Sequence, residues 1–335
     1  MTQIYELKDR IIKFHAEYEA YLSYVYKFIV AFVLFCVING KIGFMERVAE
    51  LPVSLIVALV CCLLPKGVTL FAAAALVTLH LSVLSMEVAL AALLIFVLIF
   101  FIYFRFAPKD GLLVAMTPIL HVLGIPYIAT IGTGLLCKVY SVAAVVCGTV
   151  AFYFIDGIYQ NVVALQMTAV GAEIDASKVS VSVKQLLSNK EMYLTVGIFV
   201  CVAIIVYLVR KMNMDHAWTV AIFAGSLVQV AGLLTGYLVL DIQGRLVPML
   251  VGSVISCILA LGIEFIFMDL DYTRTERVQF EDDEYYYFVK AVPKRSVTVT
   301  EKSITQFADV KKRNDGPVVR KRDIVQELGI DENDL

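Results

Sequence analysis

The side chains able to do chemistry in this chain are few, and they are set in apolar sequence. His121 comes first. It lies in RFAPKDGLLVAMTPILHVLGIPYIATIGTGLLCK (residues 105–138), three residues after Pro118 and three before Gly124. An imidazole beside helix breakers can gate, carry a proton or touch a passing solute. The breaks also free backbone groups that need polar company. The plainer alternative is a buried histidine that only hydrogen-bonds. Pro118, Gly124 and Pro126 join His121 as the candidate pathway or gating residues. His80 stands near the end of an apolar run and reads as a satisfied interfacial histidine. Glu264 lies within a turn or two of another run's end, where snorkelling or pairing with a loop cation suffices. Asp156 and Asp241, also at run ends, are expected in solvent.

Catalysis finds no support. The chain has no GxxxxGK[ST], HExxH, GxSxG or GxGxxG pattern. The acidic run Glu281–Glu284 has no apolar setting that would tune a carboxyl for acid–base work. Cys36, Cys61, Cys62, Cys137, Cys147, Cys201 and Cys257 lie in or beside apolar runs with no CxxC or Cys/His cluster, so they read as small core residues. No cofactor or metal is expected. Lys311-Lys312-Arg313 is too short and too mixed with acid for nucleic acid.

The elements holding these residues point to a membrane. The sequence is 60% hydrophobic, against 45–50% in ordinary soluble domains. It is apolar to about residue 270 and strongly mixed in charge beyond. The first apolar run begins only near Tyr24, too late for a cleavable signal. Spans are expected at about 24–39, 51–64, 67–84, 88–104, 139–160, 192–209, 218–239 and 246–268. Trp218, Tyr237, Tyr103 and Tyr153 fall near span ends, where amphipathic rings are favoured.

Within the 105–138 stretch, Leu112–Leu123 and Pro126–Leu136 read as half-helices meeting at Gly124-Ile125-Pro126. Each is about 17 Å long, too short for a hydrocarbon core of about 30 Å. Loop cations decide between one kinked span and a re-entrant hairpin. A re-entrant element leaves about eight crossings and puts both basic termini on one side, with Lys66, Arg105, Lys109, Lys138, Arg210 and Lys211. Lys41, Arg47, Arg245 and the Lys178, Lys184, Lys190 set remain on the other. The re-entrant hairpin with cytoplasmic termini is therefore the expectation. The kink itself is expected to be dry, because the element offers few polar side chains besides Thr117, His121, Tyr127, Thr130 and Thr133.

Ile4, Leu7, Ile11, Phe14, Tyr18, Tyr21 and Val25 recur at alternating spacings of three and four, with Glu6–Arg10 and Asp9–Lys13 at i,i+4. This amphipathic helix, residues 1–23, carries an association stripe that either lies on the membrane or pairs with another helix. Gly232 and Gly236 form a GxxxG suited to close helix packing, with Gln229 and Thr235 able to bond across it. Residues 161–191 form the longest connection on the far side, with a short surface helix expected over Ala176–Asn189. After the multi-pass domain (24–270) comes an expected cytoplasmic β-ribbon appendage (271–308), strands in 278–292 with a further one at 296–300. A flexible charged tail (309–335) follows, with one short helix near Arg322–Leu328.

The expected fold class is thus all-α and polytopic: about eight transmembrane helices plus one broken element. The partners expected are the lipid bilayer, a cytoplasmic protein reached through 271–335, and a second copy of the chain. A bacterial inner or plasma membrane suits the lack of disulfide spacing. Scarce charge inside the apolar runs favours a non-enzymatic, membrane-embedded scaffold or assembly subunit. Transport or channel activity through 112–136 is the alternative, and a membrane enzyme the third.

Overall fold

The computed structural model describes residues 2–162, 183–268, 270 and 275–293. The helices are α1 (Thr2–Glu17), α2 (Glu19–Ile42), α3 (Glu46–Ala49), α4 (Leu51–Leu63), α5 (Lys66–Leu84), α6 (Met86–Phe106), α7 (Gly111–Val122), α8 (Tyr127–Leu136), α9 (Val142–Gln160), α10 (Lys190–Arg210), α11 (Ala217–Val239) and α12 (Leu246–Phe267). Residues 183–187 are also helical, within the expected surface helix. The rest of that helix, the 296–300 strand and the charged tail lie outside the described residues.

Local signals account for many helix ends. Glu87 opens α6 and Arg105 closes it, complementing the helix dipole. Pro52 sits in the first turn of α4, where its missing N–H costs nothing. The Asn189 side chain caps α10 by accepting the Met192 N–H at 3.0 Å. Among the described residues seven helices are long and apolar enough to cross a membrane: α2, α5, α6, α9 with its preceding turn, α10, α11 and α12. The remaining expected span, 51–64, is a shorter apolar helix of 13 residues, about 20 Å. Large apolar side chains such as Leu93, Phe101, Leu227 and Val251 face outward. A soluble monomer does not carry such a surface.

Inside, the apolar side chains divide into distinct clusters. The first is built from α2, α4, α5, α6, α7 and α9 and includes Phe35, Val77, Ile95, Val114, Ile119 and Phe154. The second and third are built mainly from α8, α10, α11 and α12, around Tyr127, Phe199, Tyr237 and Met249, and around Ile131, Leu135, Val206 and Ile222. The two halves of the broken element therefore belong mainly to different cores.

The broken element runs out and back. Gly111 starts α7 against the Tyr103 hydroxyl and the Lys66 backbone. Climbing from there, α7 runs beside and parallel to α9, with Thr117 against Gly148 and His121 against Phe152. Gly124 turns the chain at φ +75°, a conformation that suits glycine. α8 then returns alongside α10, with Tyr127 near Phe199 and Gly134 against Val206. It ends where Arg210 Nη2 donates to the Cys137 carbonyl at 2.7 Å. The start of α7 and the end of α8 thus lie at one end of the bundle.

α1 reaches that same end, where Lys8 Nζ donates to the Met268 carbonyl at 2.9 Å. Leu7, Ile11, Phe14, Tyr18 and Tyr21 of the stripe are exposed, while the side chain of Ile4 lies outside the described residues. Strands β1 (Glu276–Glu281) and β2 (Tyr286–Ala291) form an antiparallel ribbon, with Val278 opposite Val289. Lys290 ties this ribbon to Asp215, in the α10–α11 loop, at 2.5 Å. The Lys290 ammonium holds the Asp215 carboxyl below the usual carboxylate range.

Candidate functional site

A cavity of about 240 Å³ opens above the tip of the broken element. Its floor is His121, Gly124, Pro126 and Tyr127. Its walls come from the ends of five helices: Lys41 of α2, Phe152, Tyr153 and Asp156 of α9, Glu191 and Thr195 of α10, Tyr237 of α11, and Arg245 and Pro248 at the start of α12. These are the ends opposite the α1 and ribbon side.

The charges in the cavity are paired. Lys41 Nζ lies 2.6 Å from Asp156 Oδ1, and Gln160 donates to the other Asp156 oxygen at 2.7 Å. Lys41 also sits over the Phe152 and Tyr159 rings. Arg245 Nε lies 3.4 Å from Glu191 Oε1, a looser contact, with the Arg245 side chain 49% exposed. Tyr153 spans the two helix groups: its hydroxyl is 3.0 Å from Thr195 Oγ1 and donates to Glu191 at 3.4 Å. The expectation that Asp156 is merely solvated is corrected, because it is the counterion of Lys41.

His121 does not bond to a neighbouring helix. Its Nδ1 lies 2.9 Å from the carbonyl of Thr117, one turn back in α7, and its Nε2 is buried with no partner among the described residues. The ring stacks on Phe152 with centroids 4.6 Å apart and has Tyr153 and Phe199 within about 6 Å. The phenols of Tyr127 and Tyr237, at 6% and 5% exposure, line the cavity and make no hydrogen bond among the described residues. Polar surroundings thus reach the break from other helices, and the kink differs in this from the dry packing expected.

The remaining candidates lie apart from the cavity. His80 is fully buried: its Nδ1 accepts the Met45 N–H at 3.2 Å and its Nε2 lies 2.8 Å from Asn39 Oδ1. Asn39 in turn donates to Ser54 Oγ at 2.8 Å. Glu264 accepts from Thr219 at 2.6 Å. Gly232 and Gly236 face Ile198 and Leu194 of α10, and Thr235 bonds back to its own helix. Gln229 donates to Ser253 of α12 at 3.3 Å. Lys41, Glu191 and Arg245 were missed as site residues because each reads alone as a helix-end charge. A signal was present in the pattern: four charges and three tyrosines at apolar-run ends that an even crossing number brings to one side. Among the described residues no group of His, Cys, Asp and Glu could hold a metal ion.

Comparison of the chain with protein-family models, with curated proteins and with solved structures finds no match.

Proposed function

We propose that this is a multi-pass membrane protein that moves a small polar solute by way of the cavity above the broken element. What carries the reading is one observation: two ion pairs, an imidazole with one unpartnered nitrogen and two phenols without a hydrogen bond among the described residues line a single cavity at a helix break. Charged and polar groups gathered round a broken helix in an apolar helical bundle are costly to desolvate and are a common lining of solute or ion paths. Discontinuous helices meeting near the midplane are a recurring device of transporters. On this reading α4 is a short eighth crossing and α7–α8 is a re-entrant hairpin. Both termini then lie on the cytoplasmic side with Lys66, Arg105, Lys109, Lys138, Arg210 and Lys211, in a bacterial inner or plasma membrane. Below the hairpin tip, Val145 of α9 packs with Leu113 and Leu120 of α7 and Ala129 of α8. That supports a path closed toward the cytoplasm, hence a transporter that alternates access rather than an open channel.

The test is uptake by purified protein in liposomes, compared with His121→Ala at equal incorporation. Uptake that falls in the variant supports the proposal, and no uptake of any small solute class overturns it.

The exposed apolar stripe of α1 favours a second reading, a scaffold that recruits partners through its cytoplasmic termini. The same stripe fits the lipid interface, and a peptide of residues 1–25 separates the two. Self-association without lipid supports the scaffold; helix formation only on liposomes supports the interface.

A further inference from the structure

The geometry points to a small zwitterion, carrying one carboxylate and one ammonium group, as the solute of this cavity. The inference rests on the transport reading above. It begins from the charge balance of the lining. Lys41 and Arg245 face Asp156 and Glu191, so the formal charge is zero when His121 is neutral. A solute of single charge would enter with no counter-charge to spare and would lose its hydration without replacement. A zwitterion meets both signs and leaves every charge paired.

The two ion pairs are unlike, and this selects where the solute would sit. Lys41–Asp156 is short at 2.6 Å, further held by Gln160 and by two aromatic rings, and is built as a fixed strut. Arg245–Glu191 is looser, with Nε 3.4 Å from the carboxylate. The outer guanidinium nitrogens make no hydrogen bond among the described residues. A guanidinium fork matches a carboxylate in two parallel hydrogen bonds. Glu191, released in part from Arg245, would face the ammonium group.

Around this looser pair the site already holds groups without protein partners. Tyr127 and Tyr237 are buried as residues, line the cavity, and their hydroxyls make no hydrogen bond among the described residues. His121 Nε2 is buried without a partner. Buried polar groups are normally satisfied, so the unpartnered His121 nitrogen, with two unbonded phenol hydroxyls facing the same space, marks a place for a ligand or water. The helix ends agree in sign: α8 and α12 begin at the cavity and favour a carboxylate, while α7 and α9 end there and favour an ammonium. The Tyr127, Tyr153 and Phe152 rings supply further faces for a cation.

The experiment uses full-length protein in liposomes and in detergent. Equilibrium binding and uptake are measured with each of the twenty common amino acids and glycine betaine. The same is done with acetate, methylammonium, glycerol and glucose as single-charge and neutral probes. Binding and uptake confined to the zwitterions are expected. Arg245→Gln and Glu191→Gln should each weaken binding by about tenfold or more, the scale of one charge-assisted hydrogen bond. Tyr237→Phe keeps the ring and should weaken it severalfold with unchanged thermal unfolding, so a folding defect in the charge variants cannot imitate the result. Uptake of glucose, glycerol or a singly charged probe in place of the zwitterions overturns this inference and leaves transport standing. Absence of binding and uptake for every probe overturns both.

Discussion

Replacing Gly148 with alanine should push the first half of the broken hairpin away from α9. A Cβ at Gly148 would lie 2.6 Å from Thr117 Cβ, 2.7 Å from the Val114 carbonyl oxygen and 3.1 Å from Thr117 Oγ1. Ordinary carbon contacts settle near 3.5–4.0 Å, so α7 must retreat by about 1 Å. The Val114 carbonyl cannot step aside as a flexible side chain would. It is also the acceptor that Pro118, lacking an N–H, leaves without its helical donor. Overpacking of this kind costs about 1–3 kcal/mol, and the gain in helix propensity returns at most about 1 kcal/mol. A net loss of about 1–2 kcal/mol is expected, a few degrees in melting temperature. Gly262 provides the control, because nothing lies within 4 Å of a Cβ placed there; Gly262→Ala should be neutral or slightly stabilising. Seven free cysteines allow unfolding in detergent to be followed with a thiol-reactive dye. The retreat also lowers the His121 end of α7, so solute binding should weaken in step with stability. A Gly148→Ala protein as stable as the parent, with Gly262→Ala behaving alike, would refute the packing argument.

The remaining expectations address topology, the His80 network and pH. Single cysteines placed at positions 138 and 245 of a cysteine-free protein should react oppositely with an impermeant maleimide, position 245 from outside and position 138 only after permeabilisation; labelling of both from outside would remove the re-entrant hairpin. His80→Leu strips partners from the Met45 N–H and the Asn39 Oδ1, and should destabilise by about 1–3 kcal/mol for each buried orphan, read as a lower melting temperature. Asp215 has a depressed folded pKa, so its contact with Lys290 contributes above the ordinary carboxylate pKa and is lost as pH falls through the depressed value. The Asp215 carboxyl carbon resonance should therefore titrate below the usual range and return to it in Lys290→Met; an unchanged titration would show that the ribbon is not held there.

The break was legible because its cause is local. Gly124 and Pro126 mark the turn while Pro118 stands inside α7 without ending it, and the structure places the turn at Gly124 between helices that start and stop within a residue or two of the expected bounds. The short length of α4 was legible too, because Pro65-Lys66-Gly67 stops the apolar run that begins at Leu51, and the helix ends at Leu63. The cavity was not legible in the same way. Its lining comes from seven helices separated by up to about two hundred residues, and Glu191 or Arg245 alone is indistinguishable from any charge at a helix end. Counting polar side chains within the broken element, as the dry-kink expectation did, omits every group the other helices bring to it.

The division of the hairpin between cores also bears on how the protein is made. In a bilayer neither α7, of 12 residues, nor α8, of 10, can settle alone. α7 finds α2 and α5 already synthesised, and its other main neighbour, α9, follows directly after α8. α8 packs on α10 and α12, and the last of these ends at Phe267. At 5–20 residues per second, ribosomal synthesis from the end of α8 to the end of α12 takes on the order of 10 s. For that interval the nascent α8 has no permanent berth. It must wait at the interface or in the insertion machinery and fold back only when the C-terminal helices arrive. Biogenesis would then finish at the middle of the chain, and truncation anywhere before α12 would leave an N-terminal bundle with its hairpin half inserted.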